Sequence, residues 1–355
     1  MPEGVMAILT PEGAPLTDPA QVERALAALW KPPPNEAGED ALTRVCVGNL
    51  LVVGRSSDWD HLARSLGALS PLYPSRTIGL LVDDQTPAGD VRAAVSAFCY
   101  VPRSGRRQVC CEQIVLRGRP READDFHRTL LPLLDGEVPT MCWWTLDPAL
   151  YAALFDVAGT LGDRLILDCG LGGLRHLGPA GNCAVRELGW YRTARWRDLA
   201  ASMFDVTAPR VPAAIDRVEI EMAGPSDVDR VDAVWLIAFL AGQLDWQQTR
   251  MDMPNFVEFR AGDRSVTVAF RFGQGSRAGL RSLRIRAGDN QYDMVGLPAG
   301  TGQYRLTECD ANICQLPRCV HAAPLAAADA LALAFNGRRC DLAFSRAAPI
   351  AARLA

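Results

Sequence analysis

Pro139-Thr-Met-Cys-Trp-Trp-Thr-Leu146 is the stretch on which the fold reading turns. It is almost wholly apolar, is entered through a proline and stops at Asp147-Pro148. A short run without alternation fits a strand buried on both faces of a parallel sheet. Neighbouring side chains of a strand point to opposite faces, so Trp143 and Trp144 are predicted to serve different layers. One indole joins the core beneath the sheet. The other is either roofed over by the chain's own helices, which composition favours, or left at the strand end as a rigid anchor for a partner.

Hydrophobic periodicity extends this reading in both directions. Residues 43–53 read as one continuous apolar strand. A helix capped by Ser57 follows, with Leu62, Leu66 and Leu69 inward, and residues 76–82 form the next strand. Residues 93–100 and 109–117 are two strands joined by a basic turn. Helices are expected over 122–134 and 148–159, with a strand over 163–169. That order gives an α/β N-terminal domain with a mixed sheet. Beyond Pro209 and Pro212 come a strand (218–222) and a long helix. Ser226 and Asp229 make its capping pair, and Val231, Val234, Trp235, Ala238 and Ala241 form its stripe. Alternating strands over 256–260, 265–272 and 281–287, a fourth over 304–306 and a helix over 322–335 complete an α+β C-terminal domain with an antiparallel sheet. The expected organisation is an extension and linker (1–40), an α/β domain (41–208), an α+β domain (213–345) and a tail (346–355).

With 355 residues, two domains are the prior, and 49% hydrophobic with 22% charged residues is ordinary globular composition. The formal net charge of −4 argues against a nucleic-acid or anionic-membrane surface. No apolar run approaches the roughly 20 residues that span a bilayer. The first residues lack the pattern of a signal peptide, so the expectation is a cytoplasmic protein. Eleven cysteines, mostly within apolar stretches, are expected to be free thiols rather than a disulfide framework. Lys31, the chain's one lysine, sits among prolines, which excludes a P-loop or a Schiff-base mechanism.

Motifs for chemistry are thin. Gly170-Leu-Gly-Gly173 follows a strand but lacks the dinucleotide spacing, and reads as a plain loop. No nucleophile elbow is present, and the four histidines are scattered. Cys309, Cys314 and Cys319, with His321 behind them, are set at gaps of four and four with only one histidine, a poor match to the paired ligands of a structural zinc; they are weak candidates for redox-sensitive thiols, with free cysteines as the default. No metal and no cofactor are implied. Asp83-Asp84 and the turn arginines Arg103, Arg106 and Arg107 read as solvated tips. Glu112-Gln113 interrupt an apolar strand, so they either pair with a neighbour such as Arg76 or face a partner.

Several of these pieces recur together. Pro74-Ser-Arg76, Cys111-Glu-Gln-Ile114, Trp143-Trp144, Asp163-Arg-Leu-Ile-Leu-Asp168 and Gly189-Trp-Tyr-Arg192, followed by Trp196-Arg-Asp-Leu199 and Phe204-Asp205, resemble the glucose-6-phosphate dehydrogenase assembly protein family, OpcA. The resemblance covers roughly residues 40–345. It implies a non-catalytic protein that binds glucose-6-phosphate dehydrogenase and promotes its active oligomer; in photosynthetic bacteria it also implies a link to thioredoxin-type redox control. Two departures stand out: Tyr73 replaces the usual histidine before Pro-Ser-Arg, and Thr145-Leu146 replace Pro-Gly after the double tryptophan. The residue reading agrees with a partner-binding protein. Its candidate docking surface is Arg76, Glu112, Gln113, Trp143, Trp144, Trp190, Arg192 and Trp196. The alternative is a sugar-phosphate- or nucleotide-binding enzyme, or a metabolite sensor, of α/β fold.

Overall fold

The structure is a computed structural model and describes residues 6–9, 19–30, 43–83, 85, 91–101, 109–119, 123–178, 180, 183–205, 210–252, 255–273, 279–297, 301–322, 325–337 and 340–355. The chain divides into two units. One takes Met1–Cys169, Gly178–Arg186 and Ala327–Gly337; the other takes Gly170–Leu177, Glu187–Ala326 and Arg338–Ala355.

In chain order the elements begin with β1 (Met6–Leu9), α1 (Pro19–Leu29), β2 (Thr43–Arg44), β3 (Asn49–Arg55), α2 (Trp59–Leu69), β4 (Arg76–Val82), β5 (Arg92–Tyr100) and β6 (Val109–Gly118). Next come α3 (Ala123–Leu130), β7 (Thr140–Trp144), α4 (Ala152–Leu161), β8 (Arg164–Leu167), the single turn α5 (Leu171–Leu174) and β9 (Ala184–Glu187). The first unit is built on a nine-stranded sheet in the order β1-β5-β6-β4-β3-β7-β8-β9, with β2 beside β6. Its centre, β6-β4-β3-β7-β8, is parallel throughout, and β5 and β1 add an antiparallel edge. The chain steps outward from β3 through β4 to β6, then returns to β3 and steps the other way through β7. That reversal between β3 and β7 is the topological switch of a doubly wound fold.

The continuous strand expected over 43–53 is broken, and packing explains why. Val47 N–H donates to the Pro74 carbonyl and Asn49 N–H to the Pro139 carbonyl, so the chain leaves the ladder at 45–48. A Cβ on Gly48 would collide with the Tyr73 hydroxyl oxygen. Buried Asn49 then fixes the approach to the tryptophan strand: its Nδ2 donates to the Asp135 carbonyl at 2.9 Å and to Thr140 Oγ1 at 3.1 Å, while its Oδ1 accepts from Asp135 N–H at 3.0 Å. Ser57 does not cap α2. Ser56–Asp58 form a 3₁₀ turn, and the residue before the helix, Asp58, makes no side-chain cap bond.

The second unit begins at α6 (Leu188–Arg192) and α7 (Ala194–Ser202), then α8 (Arg210–Ala213), β10 (Ile215–Met222), α9 (Asp227–Gln243), β11 (Gln247–Asp252), β12 (Phe256–Ala261), β13 (Arg264–Phe272), β14 (Leu280–Ala287), β15 (Asn290–Gly296), β16 (Gln303–Cys309) and β17 (Arg318–His321). The chain ends with α10 (Ala327–Asn336) and α11 (Leu342–Leu354). Eight strands run β11-β12-β13-β10-β14-β15-β16-β17, antiparallel except for the β10/β13 pair. Val218, Ile220, Val257, Phe259, Val266, Val268, Leu283, Ile285, Tyr292 and Met294 alternate into one core with α9. On the other face Glu219 lies 2.9 Å from Arg217, 3.4 Å from Arg271 and 3.6 Å from Arg284. The expected cap of α9 is present: Ser226 Oγ accepts from Asp229 N–H at 3.2 Å.

Two expectations about the end of the chain are corrected. The helix expected to close the second domain, α10, belongs to the first unit, and residues 346–355 are the end of α11 rather than a tail. A buried side chain explains the first. Arg164 of β8 donates to the carbonyls of Ala334, Phe335 and Gly337, the groups that the last turn of a helix leaves without partners.

Candidate functional site

In a doubly wound fold the natural site lies at the carboxyl ends of the strands flanking the switch, here β3 and β7. Dinucleotide sites of this kind use a glycine-rich turn and a helix N-terminus to hold the pyrophosphate. This chain has Arg55-Ser-Ser-Asp58 there, then Trp59-Asp60 as the first turn of α2. Two carboxylates at that terminus repel phosphate instead of attracting it. Side chains also occupy the mouth. Thr145 Oγ1 donates to the Val53 carbonyl at 2.9 Å, and the Arg55 guanidinium lies 6.0 Å from the centre of the Tyr151 ring. A Cβ on Gly79 would meet the Trp59 ring at 2.8 Å. Asp83, at the end of β4, spends its carboxylate on its own turn, accepting from Gln85 N–H at 2.9 Å. Asp84 and the turn holding Arg103, Arg106 and Arg107 lie outside the described residues.

Arg76, Glu112 and Gln113 come together at the amino end of β4, away from that mouth, and they pair inward. Glu112 is buried and takes Arg76 Nε at 2.8 Å on one oxygen; Arg44 Nη2 at 3.0 Å and Trp30 Nε1 at 2.9 Å share the other. Arg76 Nη1 also donates to the Leu133 carbonyl at 2.8 Å and reaches Glu23 of α1 at 3.3 Å. Gln113 accepts from Ser96 Oγ at 3.1 Å. The pairing of Glu112 with Arg76 is one of the two outcomes foreseen from the sequence. Trp30 as a third partner was not, because it lies far away along the chain with no local pattern to announce it.

The four tryptophans of the expected docking surface are corrected to core residues. Trp143, Trp144, Trp190 and Trp196 are 1%, 0%, 1% and 6% exposed, leaving almost no indole area for a partner. Trp143 Nε1 donates to Asp168 Oδ2 at 3.3 Å. Trp144 packs edge-on against Phe155 of α4 and donates to the Leu146 carbonyl at 2.6 Å. Trp190 meets Trp235 and Phe344 edge-on, with centroids 5.2 and 5.5 Å away, and donates to Asp341 Oδ2 at 3.0 Å. Trp196 sits edge-on to Tyr304 at 5.0 Å. Arg192 likewise turns inward, its Nε 3.0 Å from Asp232 Oδ1. Sequence reasoning missed Arg197, whose guanidinium lies 3.2 Å from the centre of the Trp190 ring. Burial lowers its pKa to about 10. Glu187, also missed, accepts from Gly189 N–H at 2.7 Å and from Trp235 Nε1.

The cysteines depart from expectation too. Cys99–Cys110 join β5 to β6 and Cys309–Cys314 close the loop after β16, whereas all were expected to be free. Cys319 is a free, exposed thiol. Burial pushes the Cys111 thiol up to about 11 and Cys183 to about 12, the opposite of activation. Tyr73, the family departure, is buried against Phe335 of α10 at a centroid distance of 5.2 Å; burial raises its pKa, and its hydroxyl has no hydrogen-bond partner among the described residues. Among the described residues no three His, Cys, Asp or Glu side chains are placed to hold a metal ion.

Two domain signatures match this chain, both described as parts of a glucose-6-phosphate dehydrogenase subunit: its N-terminal domain over residues 67–173 and its C-terminal domain over residues 183–348. The chain belongs to the OpcA family. Among similar OpcA proteins, each described as a putative OxPP cycle protein, that of Nostoc punctiforme is 29% identical over 285 residues, covering 75% of this chain and 57% of the relative. That of Synechocystis is 26% identical over 182 residues, or 49% of this chain and 38% of the relative. The chain therefore spans less than two thirds of the OpcA proteins it matches. Among solved structures, KijD10, a 3-ketoreductase from Actinomadura kijaniata in complex with NADP and TDP-benzene, aligns at a TM-score of 0.51 and 12% identity over 86% of this chain and 95% of that one. This OpcA chain thus shares the fold of that reductase. Among the described residues no helix is long and apolar enough to cross a membrane.

Proposed function

We propose that this chain is a non-catalytic partner of glucose-6-phosphate dehydrogenase that promotes the enzyme's active oligomer in the oxidative pentose phosphate cycle. The supporting observation is the state of the switch-point mouth. A fold suited to a dinucleotide carries Asp58 and Asp60 where phosphate would sit, and Trp59 over the glycine of the next strand. A chain that keeps such a scaffold without its ligand-holding turn acts by surface contact. It activates by binding the active oligomer more tightly than the free subunits, since differential affinity alone shifts such an equilibrium. The polar and aromatic residues of the family motifs serve this function indirectly, by holding each core in its shape. No cofactor is part of this reading, and its setting is the cytoplasm.

Mixing the two purified proteins and following sedimentation together with dehydrogenase activity tests it. A larger species with raised activity is expected; separate boundaries and unchanged activity would remove the proposal. The rival reading, an enzyme or sensor for a nucleotide or sugar phosphate, requires saturable thermal stabilisation by NADP or glucose 6-phosphate. Neither is expected to shift the melting temperature of the isolated chain.

A further inference from the structure

The loop between β16 and β17, residues 310–317, is tightly built yet holds apolar side chains in water. Asp310 Oδ1 accepts the N–H groups of Asn312 and Ile313 at 2.8 and 2.9 Å, and Asp310 N–H donates to the Ile313 carbonyl at 2.9 Å. Those N–H donors, Asn312 first, hold the Asp310 carboxyl below the usual carboxylate range. Gln315 N–H donates to the Glu308 carbonyl at 2.8 Å, the Cys309–Cys314 bridge closes the turn, and Arg318 pairs with Glu308 across its base at 2.8 Å. On this frame Leu316 is 91% exposed and Ile313 68% exposed.

Scattered exposed aliphatics need no explanation. Two on one short loop, fixed by a local network, are different, because the ordering cost of a contact has already been met. We infer that this loop is an apolar knob that enters a pocket on glucose-6-phosphate dehydrogenase; the inference rests on the function proposed above. The chemistry of the occupant follows from charge and size. Between Gln303 and His321 two arginines, Arg305 and Arg318, balance Glu308 and Asp310, so the patch selects apolar shape rather than an anionic or cationic surface. Two aliphatic side chains bury roughly 300 Å² at most, far below the ~800 Å² per partner of a stable pair. Knob-to-knob pairing of two copies is therefore too small, and the loop is a hot spot within a wider contact. The knob also lies within residues 183–348, the stretch that matches the second of the two dehydrogenase-related domains.

The test compares the full chain with the double variant Ile313→Ser/Leu316→Ser and with Leu150→Ser, an aliphatic 71% exposed in the first unit, each titrated into purified dehydrogenase. All three are expected to melt alike. The double variant is expected to bind about a hundredfold more weakly, tenfold for each 1.4 kcal/mol lost, with little dependence on salt. Leu150→Ser is expected to bind like the parent. Equal binding by parent and double variant would overturn the knob while leaving the partner reading intact. A parent chain that binds no dehydrogenase would overturn both. Self-association of the parent alone, abolished in the double variant, would assign the knob to a second copy and overturn the occupant named here.

Discussion

Replacing Arg76 by methionine is the sharpest test of the inward assignment of the family's Pro-Ser-Arg motif. The Arg76 side chain is 11% exposed and that of Glu112 3%, so the pair is held largely out of water. Removing Arg76 takes the Nε donor from one Glu112 oxygen and the Nη1 donor from the Leu133 carbonyl; Arg44 and Trp30 continue to serve the other oxygen. Breaking a buried pair from one side typically costs about 3–5 kcal/mol, because a charge stays behind without its counter-charge. Half-exposed Arg44 partly compensates, which places Arg76→Met near the lower end, about 3 kcal/mol. Arg76→Met with Glu112→Leu leaves no buried orphan charge, since Arg44, which also loses its partner, is half-exposed to water, and should recover most of the loss, to within about 1–2 kcal/mol of the parent. Urea denaturation followed by circular dichroism gives the totals. Hydrogen exchange across β6 shows whether the loss is local to the first unit, as a chain of two units requires. A cost below about 1 kcal/mol for Arg76→Met, or strictly additive effects in the double variant, would refute the reasoning.

Two further perturbations follow from buried groups. The Cys111 thiol ionises in the unfolded chain near pH 9 but in the folded chain only near pH 11, so over that window the folded state holds the extra proton and its stability falls as pH rises. The parent should lose about 1–2 kcal/mol more than Cys111→Ala between those limits, and equal slopes in alkaline denaturation would count against the buried thiol. Tyr73→Phe removes a buried hydroxyl that has no partner among the described residues, and is expected to leave stability unchanged or raise it by up to about 1 kcal/mol; a loss above about 1 kcal/mol by thermal melting would show that the hydroxyl is satisfied.

Much of the architecture was legible because local pattern and tertiary role coincide. The apolar run at 140–144 is a strand buried on both faces, and the alternation in β12, β13 and β14 reports a sheet with one wet face. Where long-range partners decide, the sequence was silent. The break at 45–48 depends on the Pro74 and Pro139 carbonyls, and the placement of α10 depends on Arg164, far away along the chain. The expected docking surface failed for a related reason. Arginine and tryptophan mark interfaces and also mark cores in which every polar atom finds a partner, and composition does not distinguish the two. The apolar loop at 310–317 gives no periodic signal, since Ile313 and Leu316 stand alone among polar residues and only the fold shows that both lie in water.

The interleaved path of the chain sets an order of events during synthesis. Arg164 leaves the ribosome long before the carbonyls of Ala334, Phe335 and Gly337 that will receive it, and the whole stretch Glu187–Ala326 is made in between. A nascent first unit therefore waits with a guanidinium and the Tyr73 ring uncovered until Ala334–Gly337 have been made. Fragments that stop near residue 208 inherit that unfinished state permanently, and their exposed apolar surface makes them prone to aggregate.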